Sequence, residues 1–115
     1  MIKSRPADPK LIGIPLDYPK LVEYQEGSIV SRAIIDKKVG TVTLFAFDKG
    51  QQLSPHSTPY DALLQVIEGR GLVIIDEKEF TLKAPAAIIM PADIPHAVRA
   101  PQRFKMTLTM IRSNK

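Results

Sequence analysis

The chain has 115 residues, of which 44% are hydrophobic and 24% charged, and a net charge of +4. This size and composition predict one domain with a single hydrophobic core. The absence of cysteine excludes disulfides, thiolate zinc sites and cysteine nucleophiles. No run approaches the roughly 18 apolar residues of a membrane span, and MIKSRPADPK lacks the apolar core of a secretory signal. We therefore expect a soluble, cytoplasmic protein with no membrane partner.

The positive charge does not predict a nucleic-acid partner. The 16 lysines and arginines are scattered along the chain rather than clustered. Four phenylalanines, three tyrosines and no tryptophan leave few aromatic rings on which single-stranded bases would stack. We therefore expect no nucleic-acid binding.

The N-terminal segment, 1–27, is predicted to form an extended arm. Four of the ten prolines lie close together near the N-terminus: Pro6, Pro9, Pro15 and Pro19. Proline fixes φ and removes a backbone donor, so a long helix or a central strand is excluded here, although a turn of helix fits residues 17–21. Residues 11–16 carry four aliphatic side chains. They need an apolar surface, either on the arm's own domain or on a second subunit.

From residue 28 onward, alternating apolar and polar residues predict short strands. The expected strands are residues 28–36, 41–48, 51–56, 62–68, 71–75, 79–83, 86–90, 95–99 and 104–112. Residues 62–68 are apolar on both faces and would also fit two turns of helix, but Gly69 and Gly71 directly after them favour a strand. Short strands at this spacing predict an all-β sandwich or barrel over residues 28–115.

The only two histidines of the chain are candidate functional residues. His56 and His96 are far apart in the sequence, and each follows a proline, Pro55 or Pro95. Two imidazoles on facing strands would make half of a metal site, which normally uses three or four protein ligands. The alternative is that each ring satisfies a backbone carbonyl and has only a structural role.

Two motifs around these histidines resemble those of the cupin superfamily. The first spacing is Gly50-x5-His56-x-Thr58-x3-Ala62-x6-Gly69, and the second is Pro85-x5-Pro91-x-Asp93-x2-His96. The segments FAFDKG, HSTPYDALLQVIEG, IIMPADIPHAV and FKMTLTMI are also similar to one group of small cupins. The resemblance covers residues 28–112. It implies a double-stranded β-helix, or jelly-roll, barrel that is commonly a homodimer.

The resemblance implies a depleted metal site. In metal-binding cupins the first motif supplies two histidines and a glutamate, and the second motif supplies one histidine. This chain keeps His56 and His96, but Thr58 and Ala62 stand at the other two positions. Asp61 is adjacent to the lost glutamate, although on a regular strand it would point to the opposite face.

Seven further residues are predicted to line the barrel cavity or contact a substrate: Thr58, Tyr60, Asp61, Ala62, Phe47, Met90 and Met106. The alternative for the apolar ones is packing in the core. No catalytic residue is assigned, and whether the chain is an enzyme stays open.

Three functions follow from the sequence. The leading one is a dimeric barrel that binds a small molecule, a weakly held divalent metal, or both. The second is a metal-dependent oxygenase, isomerase or lyase with an atypical two-histidine ligand set. The third is a binding or regulatory module whose barrel is filled by side chains. Zinc, manganese, iron, nickel and copper are not distinguished, and a chain without any cofactor is an equal alternative.

Overall fold

The computed structural model describes residues 2–112, so the ends of the expected arm and barrel, residue 1 and residues 113–115, lie outside it. In chain order the described elements are β1 (Ile2–Arg5), a 3₁₀ helix (Pro9–Leu11), α1 (Tyr18–Leu21), β2 (Ile29–Lys37), β3 (Gly40–Phe47), β4 (Gln52–His56), β5 (Ala62–Ile75), β6 (Lys78–Lys83), β7 (Ala86–Met90), β8 (His96–Arg99) and β9 (Phe104–Ile111). Neither helix of this part of the chain is long or apolar enough to cross a membrane.

The strands form two sheets that share β5. The strand order is β1-β2-β3-β9-β5-β8-β4, and β6 and β7 also pair with β5. The first half of β5 pairs with β9 and β7, and these strands form sheet A together with β1, β2 and β3. The second half of β5 pairs with β8 and β6, and these strands form sheet B together with β4. All pairs are antiparallel except β1 with β2. The expected all-β jelly roll is confirmed.

Strand β5 differs from the prediction, because the two expected strands over residues 62–68 and 71–75 are one strand of 14 residues. The register against β9 shifts between Val66 and Glu68, and Gly69 has a φ of +75°. A bulge of this kind bends a strand without ending it. The glycines that suggested a boundary therefore mark the bend at which β5 passes from one sheet into the other.

The main core lies between the inner faces of the two sheets. Its largest fully buried side chains include Phe47 and Phe104, whose rings stack with centroids 4.7 Å apart. A Cβ atom at Gly71 would lie 2.6 Å from the Phe104 ring. A side chain at residue 71 is therefore excluded, because the aromatic pair occupies the space beside Gly71.

The segment before β2, residues 2–27 and hereafter the arm, lies partly against the outer face of sheet A. Strand β1 was not predicted, since four exposed residues carry too little alternation to detect. The expected turn of helix is confirmed as α1, with Asp17 at its N-cap. A second core lies between the arm and the sheet, built around Val22, Val30, Leu44 and Ala46.

Three polar side chains, hereafter the arm latch, connect the arm to sheet A. The Tyr24 hydroxyl donates to Glu68 Oε2 at 2.5 Å. Lys105 Nζ donates to the Pro19 carbonyl at 2.6 Å, lies 3.7 Å from Glu68 Oε2, and sits 4.8 Å from the centre of the Tyr24 ring. Burial, followed by the hydrogen bond to Glu68, raises the pKa of Tyr24 above its ordinary value.

Candidate functional site

The two histidines face each other across neighbouring strands of sheet B. His56 on β4 pairs directly with His96 on β8, and their ring centroids are 4.4 Å apart in an edge-to-face arrangement of 68°. His96 shares its face of β8 with Val98, which belongs to the main core. His96 is only 4% exposed, whereas His56 is exposed. The structure therefore brings the two predicted residues together, with one ring buried and the other accessible.

A bulge in β4 places His56 opposite His96. Leu53 pairs with Val98, and the next pair is His56 with His96, so three residues of β4 advance against two of β8. In a regular register Pro55 would stand opposite His96, and the His56 ring would point to the other face of the sheet. The extra residue thus creates the histidine pair.

Both rings are held in one tautomer by backbone carbonyls. His56 Nδ1 lies 3.0 Å from the Ser54 carbonyl oxygen, and His96 Nδ1 lies 3.3 Å from that of Ile94. A carbonyl oxygen only accepts, so each Nδ1 carries the proton, and in the neutral ring each Nε2 keeps its lone pair. Metal-ligating histidines are commonly oriented by a bond of this kind.

The buried ring is the one that resists protonation. Burial, reinforced by the charge of His56, lowers the pKa of His96 below its ordinary value, while the hydrogen bond to Ile94 acts in the opposite direction. His96 is therefore neutral at physiological pH. Its Nε2 can accept a hydrogen bond or ligate a cation there.

The three polar residues predicted to line the cavity, Thr58, Tyr60 and Asp61, take part in hydrogen bonds within the loops between strands. Thr58 Oγ1 donates to the Tyr60 carbonyl at 3.0 Å, and the Thr58 carbonyl accepts from the Asp93 amide at 2.7 Å. Asp61 is exposed, and its Oδ1 accepts from the Ala92 amide at 2.9 Å. These bonds join the loop before β5 to the loop before β8. Asp93 itself has a φ of +66°, in the left-handed region that is typical of turn residues.

The four apolar residues predicted to line the cavity lie together in the main core. Ala62, Phe47, Met90 and Met106 are each no more than 2% exposed. Their packing matches the core alternative, and a role in lining a ligand cavity stays a prediction.

The residues present fit only half of a metal site. Across residues 2–112 there is no group of three or more histidine, cysteine, aspartate or glutamate side chains placed to hold one ion. A catalytic zinc site uses three protein ligands. Here the two Nε2 atoms would supply two ligands, and water or a bound molecule would supply the others.

Two acidic residues that the sequence analysis did not select lie near the pair. A groove of about 460 Å³ borders His96 and is also lined by Pro55, Asp76 and Glu77. Both acidic residues have positive φ, in the turn between β5 and β6, and the Asp76 amide donates to the Pro95 carbonyl at 3.0 Å. The turn thereby fixes the start of β8. The only feature of the sequence that pointed to Asp76 and Glu77 was that they are two consecutive charged residues between strands.

Comparisons with known proteins agree with this architecture. A family model described as a cupin domain matches residues 43–112. A conserved protein of unknown function from Streptococcus pyogenes is 30% identical, with a TM-score of 0.84 and 90% of each chain covered. A cupin 2 conserved barrel domain protein from Leptotrichia buccalis is 41% identical, with a TM-score of 0.79 over 82% of this chain and 46% of its own.

More distant structures share the fold alone. Salicylate 1,2-dioxygenase from Pseudoaminobacter salicylatoxidans is 13% identical, with a TM-score of 0.67 over 72% of this chain and 26% of its own. A search of curated proteins finds no match. The family model, the two nearer structures and the jelly-roll topology agree, and the chain belongs to the cupin family.

Proposed function

We propose that this cupin binds a small polar molecule at the His56–His96 pair. The observation that carries the proposal is the geometry of the two rings, which face each other at 4.4 Å with both Nδ1 atoms bonded to backbone carbonyls. Two Nε2 lone pairs in one place form an acceptor site. They favour a ligand that carries hydrogen-bond donors.

The surroundings of the pair favour a neutral or cationic ligand over an anionic one. Burial keeps His96 uncharged, so the ring offers an anion no positive charge. Asp76 and Glu77 border the adjoining groove and add negative potential. His56 is exposed and leaves the pair accessible from solvent.

A weakly held divalent metal is the second candidate. It is favoured by the Nδ1–H···O=C bonds, which orient both rings as they are oriented in metal-ligating histidines. His56 and His96 would hold the ion through Nε2. When bound, a divalent cation would supply Lewis acidity to a molecule beside it. With only two protein ligands we expect the ion to exchange readily.

Thermal-shift measurements test both candidates. The probes are divalent zinc, manganese, nickel and copper salts, and separate panels of small amines, sugars and carboxylates. A ligand at ten times its Kd stabilises the fold by about 1.4 kcal/mol, which corresponds to several degrees in Tm for a chain of this size. We expect such a shift for the unmodified chain and its loss in the His56→Ala/His96→Ala double variant.

The matched control is Gln52→Ala. Gln52 lies on the same strand as His56 and pairs with Arg99, away from the histidines, so this variant should respond like the unmodified chain. Elemental analysis of the purified protein gives a second readout. Metal retained equally by the double variant would contradict the metal candidate. The absence of any shift from every probe would instead favour a barrel filled by its own side chains.

A further inference from the structure

The groove beside the histidine pair combines apolar walls with negative charge. Its apolar residues include Ile74 and Ala97, which pair directly across β5 and β8. Asp76 and Glu77 are exposed and contribute carboxylates. Among the described residues no lysine or arginine lines the groove. A site of about 460 Å³ with this lining can hold a small molecule, and its charge selects against anions.

The turn between β5 and β6 brings both carboxylates to the buried histidine. Ile75, the last residue of β5, pairs with His96, and Asp76 follows it directly. The Asp76 amide donates to the Pro95 carbonyl at 3.0 Å, which fixes the turn against the start of β8. The two acidic residues are therefore held beside the histidine pair by the backbone.

Neither carboxylate is engaged by a basic side chain within residues 2–112. The ion pairs of this part of the chain use Asp17, Asp48 and Glu68 instead. An ionised carboxylate only accepts hydrogen bonds. Asp76 and Glu77 therefore offer a ligand free acceptor oxygens and negative charge.

Glu77 occupies a position at which the backbone favours glycine. The φ angle is +47° at Asp76 and +71° at Glu77, as in two-residue hairpin turns whose central residues are both left-handed. Aspartate is enriched in this region of φ, whereas glycine adopts it without a steric cost. The chain thus carries a carboxylate at residue 77 at a cost to the turn. Such a departure from local preference is typical of a functional position.

The buried ring adds an acceptor to the same groove. His96 lines the groove, is only 4% exposed, and has its Nδ1 bonded to the Ile94 carbonyl. Its Nε2 has no hydrogen-bond partner among residues 2–112. Buried polar atoms are normally hydrogen-bonded, so this nitrogen is available to a ligand. The polar side chains of the groove are therefore all acceptors.

We propose that the groove selects a small aliphatic amine, with its ammonium group at Asp76 and Glu77 and a hydrogen-bond donor at His96 Nε2. This inference rests on the proposed function, because it assigns the ligand class of the same site. Amino alcohols and short diamines have donors at both ends, and their hydrocarbon centre suits the apolar walls of the groove. A carboxylate or phosphate ligand would be repelled by both acidic residues.

Isothermal titration calorimetry with length-matched probes tests the ligand class. Aminobutanol, butanediol and hydroxybutyrate, each with its functional groups at the two ends of one four-carbon chain, differ mainly in charge. Because the two carboxylates are exposed, each contributes modestly, and we expect aminobutanol to bind about tenfold more tightly than butanediol. Hydroxybutyrate should bind more weakly than either. Added salt should weaken the binding of aminobutanol and leave that of butanediol unchanged.

Variants of the turn test the two acidic residues. Asp76→Asn/Glu77→Gln should lower the affinity for aminobutanol to about that for butanediol. The control Glu23→Gln/Asp36→Asn removes the same charge from exposed residues of the arm and β2, and should bind like the unmodified chain. Glu77→Gly should raise the urea midpoint of unfolding yet weaken aminobutanol binding. A residue with only a structural role in the turn would not give this combination.

The outcomes separate this inference from the proposed function. Equal affinities for aminobutanol and butanediol, or an Asp76→Asn/Glu77→Gln variant that binds aminobutanol normally, overturn the amine assignment and leave binding at the histidine pair intact. An unmodified chain that binds none of the three probes also overturns the assignment. If the His56→Ala/His96→Ala variant binds aminobutanol and butanediol as tightly as the unmodified chain, the proposed function fails, and this inference fails with it.

Discussion

The hydrogen bond between Tyr24 and Glu68 should contribute measurably to the stability of the fold. Tyr24→Phe removes only the hydroxyl that donates to Glu68 at 2.5 Å. A hydrogen bond to a charged group contributes about 1.5–3 kcal/mol. The Glu68 side chain is 42% exposed, so water replaces part of the lost bond, and Lys105 remains close to the carboxylate. We therefore expect a loss of about 1 kcal/mol in the free energy of unfolding.

Urea unfolding of a double-mutant cycle measures this contribution. The cycle comprises the unmodified chain, Tyr24→Phe, Glu68→Gln and the double variant, and the expected coupling energy is about 1 kcal/mol. A coupling below about 0.3 kcal/mol, the usual limit of additivity, would refute the arm latch as a stabilising contact. Spectrophotometric titration gives an independent check. Glu68→Gln should lower the raised pKa of Tyr24 only in part, because burial is the larger cause.

Three further predictions concern the core, the loops and the histidines. Gly71→Ala should cost about 1–3 kcal/mol in urea unfolding, because its Cβ would meet the buried Phe104 ring. The same substitution should cost less in a Phe104→Leu chain, where the ring is absent. Asp61→Ala should cost about 1 kcal/mol through its bond to Ala92 yet leave the ligand-induced thermal shift intact, and a lost shift would show that Asp61 belongs to the site. Because burial lowers the pKa of His96, the unfolded chain is protonated there before the folded chain as the pH falls below about 6.5, and the free energy of unfolding should fall over that range. His96→Gln should make the free energy of unfolding depend less on pH. The same dependence in both chains would contradict this.

The alternation of side chains was sufficient to predict most of the strands. It located β2, β3 and β9 to within about a residue. It divided β5 in two, since Gly69 and Gly71 are typical of turns and only the Phe104 ring, distant in sequence, explains them. It missed β1, because β1 forms only by pairing with β2, and β2 begins only after the rest of the arm.

The candidate site was predicted only in part. Motif spacing selected His56 and His96, and the structure brings them together. The bulge that turns His56 toward its partner could not be predicted, because it exists only in the register between β4 and β8. Nor did the sequence show that Asp61 bonds the amide of Ala92, since that amide lies in a different loop. Local pattern predicts elements, whereas the direction of a side chain at a strand end depends on the neighbouring strand.

The central claim is that the Nε2 atoms of His56 and His96 form one binding site. Nitrogen-15 NMR of the two imidazoles tests it most directly, because the chain has no other histidine. We expect both rings of the ligand-free protein to carry their proton on Nδ1 at mildly alkaline pH, and both Nε2 resonances to move together when zinc or a binding small molecule is added. A proton on Nε2 of either ring, or a shift confined to one histidine, would contradict the account.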